Sequence, residues 1–154
     1  TGKTGEVIFP GQPACQIGDE RMTLNVGYKA MLAAAESEIE TLSPAEAGRL
    51  IGNDSVQFVD IRDVRELQRE GKVPEAFHAT RGMLEFWIDP DSPYYKEVFG
   101  TGKKFVFYCQ SGWRSALATQ TVQRMGLANV CHIGGGFRAW KETGNPVETV
   151  DSEP

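Results

Sequence analysis

Three strand-like runs, Val56–Ile61, Lys103–Tyr108 and Asn129–Ile133, each lead through a turn into a stretch with helical spacing. Strands joined through helices return in the same direction, so they pair in parallel, and a parallel sheet needs cover on both faces. The alternation therefore predicts an α/β fold: a doubly wound parallel sheet of about five strands flanked by helices on both faces. A short strand over Ala76–Thr80 joins the three runs. Helices are expected at Val26–Glu40 with Asn25 as cap, at Ser43–Ile51 with Ser43 as cap and Pro44 in the first turn, and at Asp63–Glu70, ended by Gly71. Two more follow the later strands, Ser115–Met125 and Phe137–Thr143. In the first helix Met31, Leu32, Ala35 and Ile39 share the face that would pack on the domain.

Loops that carry function in such sheets lie beyond the carboxyl ends of the strands. Residues 105–115, FVFYCQSGWRS, deliver Cys109 to such an end, and a helical stretch follows within a few residues. A cysteine at a strand-to-helix turn faces unpaired backbone N–H groups and the positive end of a helix dipole. Both favour the thiolate, which is the nucleophilic form. Gly112 lets the backbone curl around whatever the sulfur holds, and Arg114 adds a permanent charge and a planar fork of donors. Taken without context, a cysteine ending an apolar strand is core; the glycine, arginine and helix start point instead to a pocket for an anion bonded to, or attacked by, the sulfur.

Around these residues the chain resembles the rhodanese family of sulfurtransferases, from about Leu42 to Glu148. Val59-Asp60-Ile61-Arg62-Asp63 with Glu66-Leu67 is similar to the family's first signature, and Cys109–Arg114 to its catalytic loop. Ile133-Gly134-Gly135-Gly136-Phe137 with Trp140 is similar to its C-terminal signature. Gly71-Lys72-Val73-Pro74-Glu75-Ala76 stands where the family usually has Gly-His-Ile-Pro-Gly-Ala, so Lys72 and Glu75 are departures that bear on the local turn.

The resemblance implies a rhodanese-like fold and transfer of sulfane sulfur through a persulfide on Cys109. It implies that Gln110, Ser111, Gly112, Trp113, Arg114 and Ser115 bind substrate. Ser111 and Ser115 could hydrogen-bond the persulfide or cap the helix, with Ser115 better placed as the cap. Arg114 could bind the donor's anionic end or fold back to a carboxylate. Trp113 is expected at the mouth, or else packed on residues 81–99. Asp60 and Arg62 are expected to support the loop as an ion pair. The donor would be thiosulfate or a persulfide, and the acceptor cyanide or a thiol, with a sulfur-relay protein as a further partner. No cofactor is implied.

Loop length separates this chemistry from a related one. Tyrosine phosphatases, and the Cdc25-type phosphatases and arsenate reductases, use Cys-x5-Arg, a ring that fits a tetrahedral oxyanion. Here the spacing is Cys-x4-Arg and Tyr108 precedes the cysteine, so phosphatase or arsenate reductase activity is the lesser alternative. A non-catalytic interaction module or redox sensor is another.

The rest of the chain narrows the field. Its 154 residues suit one domain, with residues 22–150 as the domain including the first helix, 1–21 as a Gly/Pro-rich leader and 151–154 as a tail. A net charge of −5 argues against nucleic acid and leaves attraction of anions to the loop itself. No apolar stretch reaches a membrane span and no secretory signal is visible, so a cytoplasmic location is expected. Three cysteines do not build a disulfide framework. Cys131 reads as strand packing, with a resolving thiol as the sharper alternative; Cys15 lies in the leader. His78 and His132 lack further ligands at metal spacing, so no metal is expected. Met83–Ile88 and Tyr94–Phe99 read as short helices covering the sheet, although Phe86, Trp87, Tyr94 and Tyr95 could instead wall the mouth of the site. The run Gly134–Gly136 reads as a tight turn that brings the last helix close to the cysteine loop.

Overall fold

A computed structural model describes residues 22–151; the leader, with Cys15, lies outside the described residues. Five strands form one wholly parallel sheet in the order β1-β5-β4-β2-β3. They are β1 Glu40–Leu42, β2 Val56–Asp60, β3 Phe77–His78, β4 Lys104–Tyr108 and β5 Val130–Ile133. Among the described residues six α-helices accompany them: α1 Tyr28–Glu38, α2 Pro44–Gly48, α3 Val64–Glu70, α4 Leu84–Ile88, α5 Trp113–Met125 and α6 Gly136–Glu142. The fold is the expected doubly wound one, and β4, which leads to Cys109, is its central strand.

Strand alternation sorts the core into two layers. Val59, Ile61, Phe105, Phe107, Cys109 and Val130 point to one face, where Leu84, Ile88, Ala118 and Val122 from α4 and α5 cover them. Phe58, Val106, Tyr108, Cys131 and Ile133 point to the other, under Ala47 of α2 and Phe137 and Trp140 of α6. Cys109 and Cys131 thus lie on opposite faces of the sheet, a geometry that removes the resolving-thiol alternative for Cys131.

Local signals set most boundaries. Ser43 and Glu46 close a capping box on α2, with Pro44 in the first turn. Asp63 and Glu66 do the same on α3. Other boundaries differ from expectation. The first helix starts at Tyr28 on Gly27, without a side-chain cap, and buries only Ala35; Met31 is exposed. It stops before Glu40 because Glu40–Leu42 pairs with Cys131–Ile133 as the edge strand. The strand expected over Ala76–Thr80 is reduced to Phe77–His78, the length over which it pairs with β2. Residues 94–99 form no α-helix; a short 3₁₀ turn covers Glu97–Gly100.

The 81–99 segment covers the sheet rather than walling the site. Leu84, Ile88 and Phe99 enter the core layer under α5, while Phe86 and Tyr94 are exposed. Ile88, Tyr95 and Phe99 meet Met125–Leu127, at the far end of α5, around a cleft of about 500 Å³. That cleft lies at the amino end of the sheet, opposite the cysteine loop.

Candidate active site

Cys109 follows the last residue of β4 and is fully buried. The chain turns at Gly112, which has φ 97° and stands as the cap of α5 with no side-chain oxygen to receive the helix's first N–H groups. The sulfur takes that place. The N–H of Gly112 donates to Sγ at 3.2 Å and that of Ser115 at 3.3 Å, and the thiol reaches Ser115 Oγ at 3.5 Å. The helix starts two residues earlier than expected, at Trp113. Ser115 is therefore not the cap: it sits in the first turn with its N–H and hydroxyl both on the sulfur.

A second helix start sets the outer side of the loop. The N–H groups of Phe137 and Arg138, in the first turn of α6, donate to the carbonyls of Cys109 and Gln110 at 2.8 and 3.1 Å. Those contacts turn the two carbonyls away from the sulfur. Such an approach tolerates no side chain: a Cβ on Gly136 would lie 2.6 Å from Cys109 O. The glycine run therefore does bring the last helix onto the loop.

Arg62 supports the loop from behind. It is fully buried and donates to the Asp60 carboxylate, with Nη2 to Oδ2 at 2.7 Å and Nε to Oδ1 at 3.0 Å. It also donates to Gly71 O at 2.7 Å and to Gln110 Oε1 at 3.1 Å, and its guanidinium lies 4.3 Å over the Phe137 ring. Burial works against its charge, but the Asp60 carboxylate outweighs burial and holds the pKa above the ordinary arginine value. The Gln110 side chain is thus committed to Arg62.

Arg114 folds back to a carboxylate. Its Nη1 and Nη2 donate to Glu66 Oε2 and Oε1 at 2.9 and 3.0 Å, a bidentate pair. Hydrogen bonding to Arg114 is the main force holding the Glu66 carboxyl below its usual range, and the same bond raises Arg114. Since Glu66 also closes the cap of α3, the pair ties the loop to that helix. Trp113 is 55% exposed and rests on Tyr28 of α1, with ring centroids 5.2 Å apart, rather than on residues 81–99. Ser111, Gly112 and Trp113 border a recess of about 310 Å³ with Thr41 and His132.

His132, Thr41 and Glu66 are the site's neighbours that sequence reasoning left without a role. His132 was within reach of it: alternation along Val130–Ile133 puts Val130 and His132 on the Cys109 face and Cys131 and Ile133 on the other. Its Nδ1 lies 3.0 Å from Ser115 Oγ, and burial lowers its pKa to about 4. Cys131 is pushed by burial to about 12.

The Gly71–Ala76 segment carries the departures from the expected Gly-His-Ile-Pro-Gly-Ala pattern. Glu75 has φ 62°, a left-handed conformation that suits the glycine usual there. Its N–H is caught by Glu148 Oε1 at 3.2 Å, and Lys72 Nζ reaches Glu148 Oε2 at 3.2 Å.

A parallel sheet whose central strand ends in a cysteine, enclosed by a short loop between two helix starts, defines a class of α/β domains with a cysteine-centred anion cradle. The chain belongs to the Rhodanese-like domain family, which it matches over residues 43–143. Among solved structures it is similar to a Rhodopseudomonas palustris protein described as of unknown function and a possible tyrosine phosphatase. The two are 56% identical with a TM-score of 0.81, over 84% of this chain and 99% of that one. Among curated proteins it is 30% identical to the thiosulfate sulfurtransferase GlpE of Actinobacillus pleuropneumoniae, over 71% of this chain and 93% of that one. It is 29% identical to an uncharacterized Synechocystis protein over 80% of this chain, and spans 64% of that protein's length. Family and relatives together support a sulfurtransferase function in general terms. Among the described residues no helix is long and apolar enough to cross a membrane.

Proposed function

We propose that the chain moves sulfane sulfur from thiosulfate or a persulfide donor to a thiol or cyanide through a persulfide on Cys109. The observation that carries this reading is the pair of N–H groups, from Gly112 and Ser115, aimed at Sγ. Preorganised donors in a water-excluded site stabilise negative charge on sulfur without reorganising during the reaction. The thiolate attacks the outer sulfur of thiosulfate; the sulfur–sulfur bond of the donor breaks and sulfite leaves with its electron pair. Cyanide or a thiolate then takes the outer sulfur and returns Cys109 to thiolate. No general base is needed at the transfer steps, and double displacement gives ping-pong kinetics. The Asp60–Arg62 pair acts as support behind the loop.

The Rhodopseudomonas relative's description raises phosphate ester hydrolysis as a rival. The Cys-x4-Arg ring, with Arg114 bound to Glu66, favours a single terminal sulfur over a phosphoryl group, and turnover of p-nitrophenyl phosphate is expected to be absent. Intact-mass analysis after incubation with thiosulfate tests the reading, with Cys109→Ser as control. A gain of one sulfur on the unaltered chain only, discharged by cyanide as thiocyanate, is the expected result. No added sulfur from either thiosulfate or an organic persulfide would sink it.

A further inference from the structure

Ser115 has a partner that holding the sulfur does not require. Its Oγ lies 3.5 Å from Cys109 Sγ and 3.0 Å from His132 Nδ1, and His132 Nε2 lies 3.0 Å from Thr41 Oγ1. The four side chains form a line from the central strand to the edge strand. Cys109, Ser115 and His132 are buried; Thr41 is exposed and opens onto the recess beside the loop, which Glu36 also borders. Desolvation keeps His132 neutral at ordinary pH.

A neutral imidazole has one donor and one acceptor, so the bond at one nitrogen fixes the bond at the other. With the proton on Nε2, His132 donates to Thr41, accepts the Ser115 hydroxyl at Nδ1, and leaves the serine oxygen to accept the thiol. With the proton on Nδ1, His132 donates to Ser115, and the serine hydroxyl turns to donate to sulfur. Moving each proton one bond along converts the first state to the second. The thiol proton goes to Ser115 Oγ, the serine proton to Nδ1, the Nε2 proton to Thr41 Oγ1, and the threonine proton to water in the recess. The products are thiolate and hydronium, and no member of the line besides the sulfur changes charge.

We propose that His132, held by Thr41, is a positioning residue that acts through Ser115: it switches the serine hydroxyl from acceptor of the Cys109 thiol to donor to the thiolate and persulfide, and it carries the departing proton to the recess. The inference rests on Cys109 being the sulfur carrier. The other charged groups around the line are the Asp60–Arg62 pair and Arg114 with Glu66 on the loop side, and Glu36 at the recess; Cys131 faces the opposite way. Among the described residues none of them hydrogen-bonds to Ser115 or His132 through a side chain.

The test is the rate of iodoacetamide alkylation of Cys109, followed by peptide mass on the full chain across a pH series. His132→Phe, Ser115→Ala, their double variant and His132→Asn are compared. Loss of one hydrogen bond to a charged sulfur is expected to slow His132→Phe about tenfold at pH 7, and not at pH 10. Ser115→Ala should match it, and the double variant should be no slower, because the two residues act as one unit. His132→Asn can still reach Ser115 and should recover most of the rate. An unchanged profile in His132→Phe, or losses that add in the double variant, would overturn the proposal. Where His132→Phe fails to fold, Thr41→Val at the exposed rim carries the test: about threefold slowing at pH 7 supports the relay and an unchanged profile removes it. Thiosulfate loading of the same proteins separates this from the parent reading, since a shifted alkylation profile with no sulfur uptake removes the carrier role and the persulfide half of the proposal and leaves only the proton relay to the thiolate.

Discussion

Cys109 and Cys131 stand on neighbouring strands of one sheet, both without solvent contact, and share almost nothing else. Cys131 lies among Phe58, Val106, Ile133 and Trp140, and its sulfur has one weak contact, 3.8 Å to Phe105 O. Burial there outweighs the charge of Lys104 and pushes its pKa to about 12. Cys109 is equally covered, but two backbone N–H groups point at it. Burial alone therefore does not decide what a thiol can do; the dipoles aimed at it do. The difference arises in the two residues' places along the chain. Cys131 is inside its strand, where peptide groups are spent on the ladder, and Cys109 is one step past the end of its own, where a helix start has N–H groups to spare.

The largest effect that would break this comparison is on turnover. Cys109→Ser should lower sulfur transfer at least about a thousandfold, as removal of a nucleophile does, while Cys131→Ala stays within about twofold; thiocyanate assays on both variants check it. Equal losses would erase the distinction.

The next effect lies under the loop. Arg62→Met strands the buried Asp60 carboxylate and releases Gln110, and should cost roughly 3–5 kcal/mol in urea unfolding. Replacing both partners, Asp60→Leu with Arg62→Met, should recover a good part of the stability without restoring turnover. That outcome would separate the fold's need for the pair from the loop's need for it.

His132, next to Cys131 in β5, faces the Cys109 side of the sheet and is buried as well. Its folded pKa, about 4, is below the unfolded value near 6.5, so the unfolded chain binds the extra proton between those limits. Stability should therefore fall as pH drops from about 6.5 to 4, by roughly 3 kcal/mol from this residue. Urea unfolding at pH 7, 5 and 4 should show that portion of the slope missing from His132→Asn. The smallest effect belongs to the turn at Glu75, where glycine relieves a left-handed backbone but loosens the unfolded chain. Glu75→Gly should raise stability by no more than about 1 kcal/mol, read from thermal unfolding.

The parallel sheet, its two core layers and the position of Cys109 were legible because they rest on local patterns: apolar runs, alternation and the glycine after the cysteine. The edge strand Glu40–Leu42 was not, since three residues with Leu42 as their one apolar member carry too short a pattern and acquire their conformation by pairing with β5. Asp60 and Arg62 could be read as a pair from positions two apart at one strand end. Arg114 with Glu66, and Ser115 with His132 and Thr41, join segments 48, 17 and 91 residues apart, and nothing in composition or spacing selects those partners. The extent of the 81–99 cover was likewise fixed by packing on α5 rather than by its aromatic content.

The contact of α6 with the cysteine loop has a consequence for the order in which the protein is made. The carbonyls of Cys109 and Gln110 are turned outward by Phe137 and Arg138, residues synthesised more than twenty positions later. Until that segment has left the ribosome, a nascent chain carries the cysteine and its two N–H donors but not the contacts that turn these carbonyls outward. The outward set of these two carbonyls is thus completed only when the last helix docks, after all five strands of the sheet have been made.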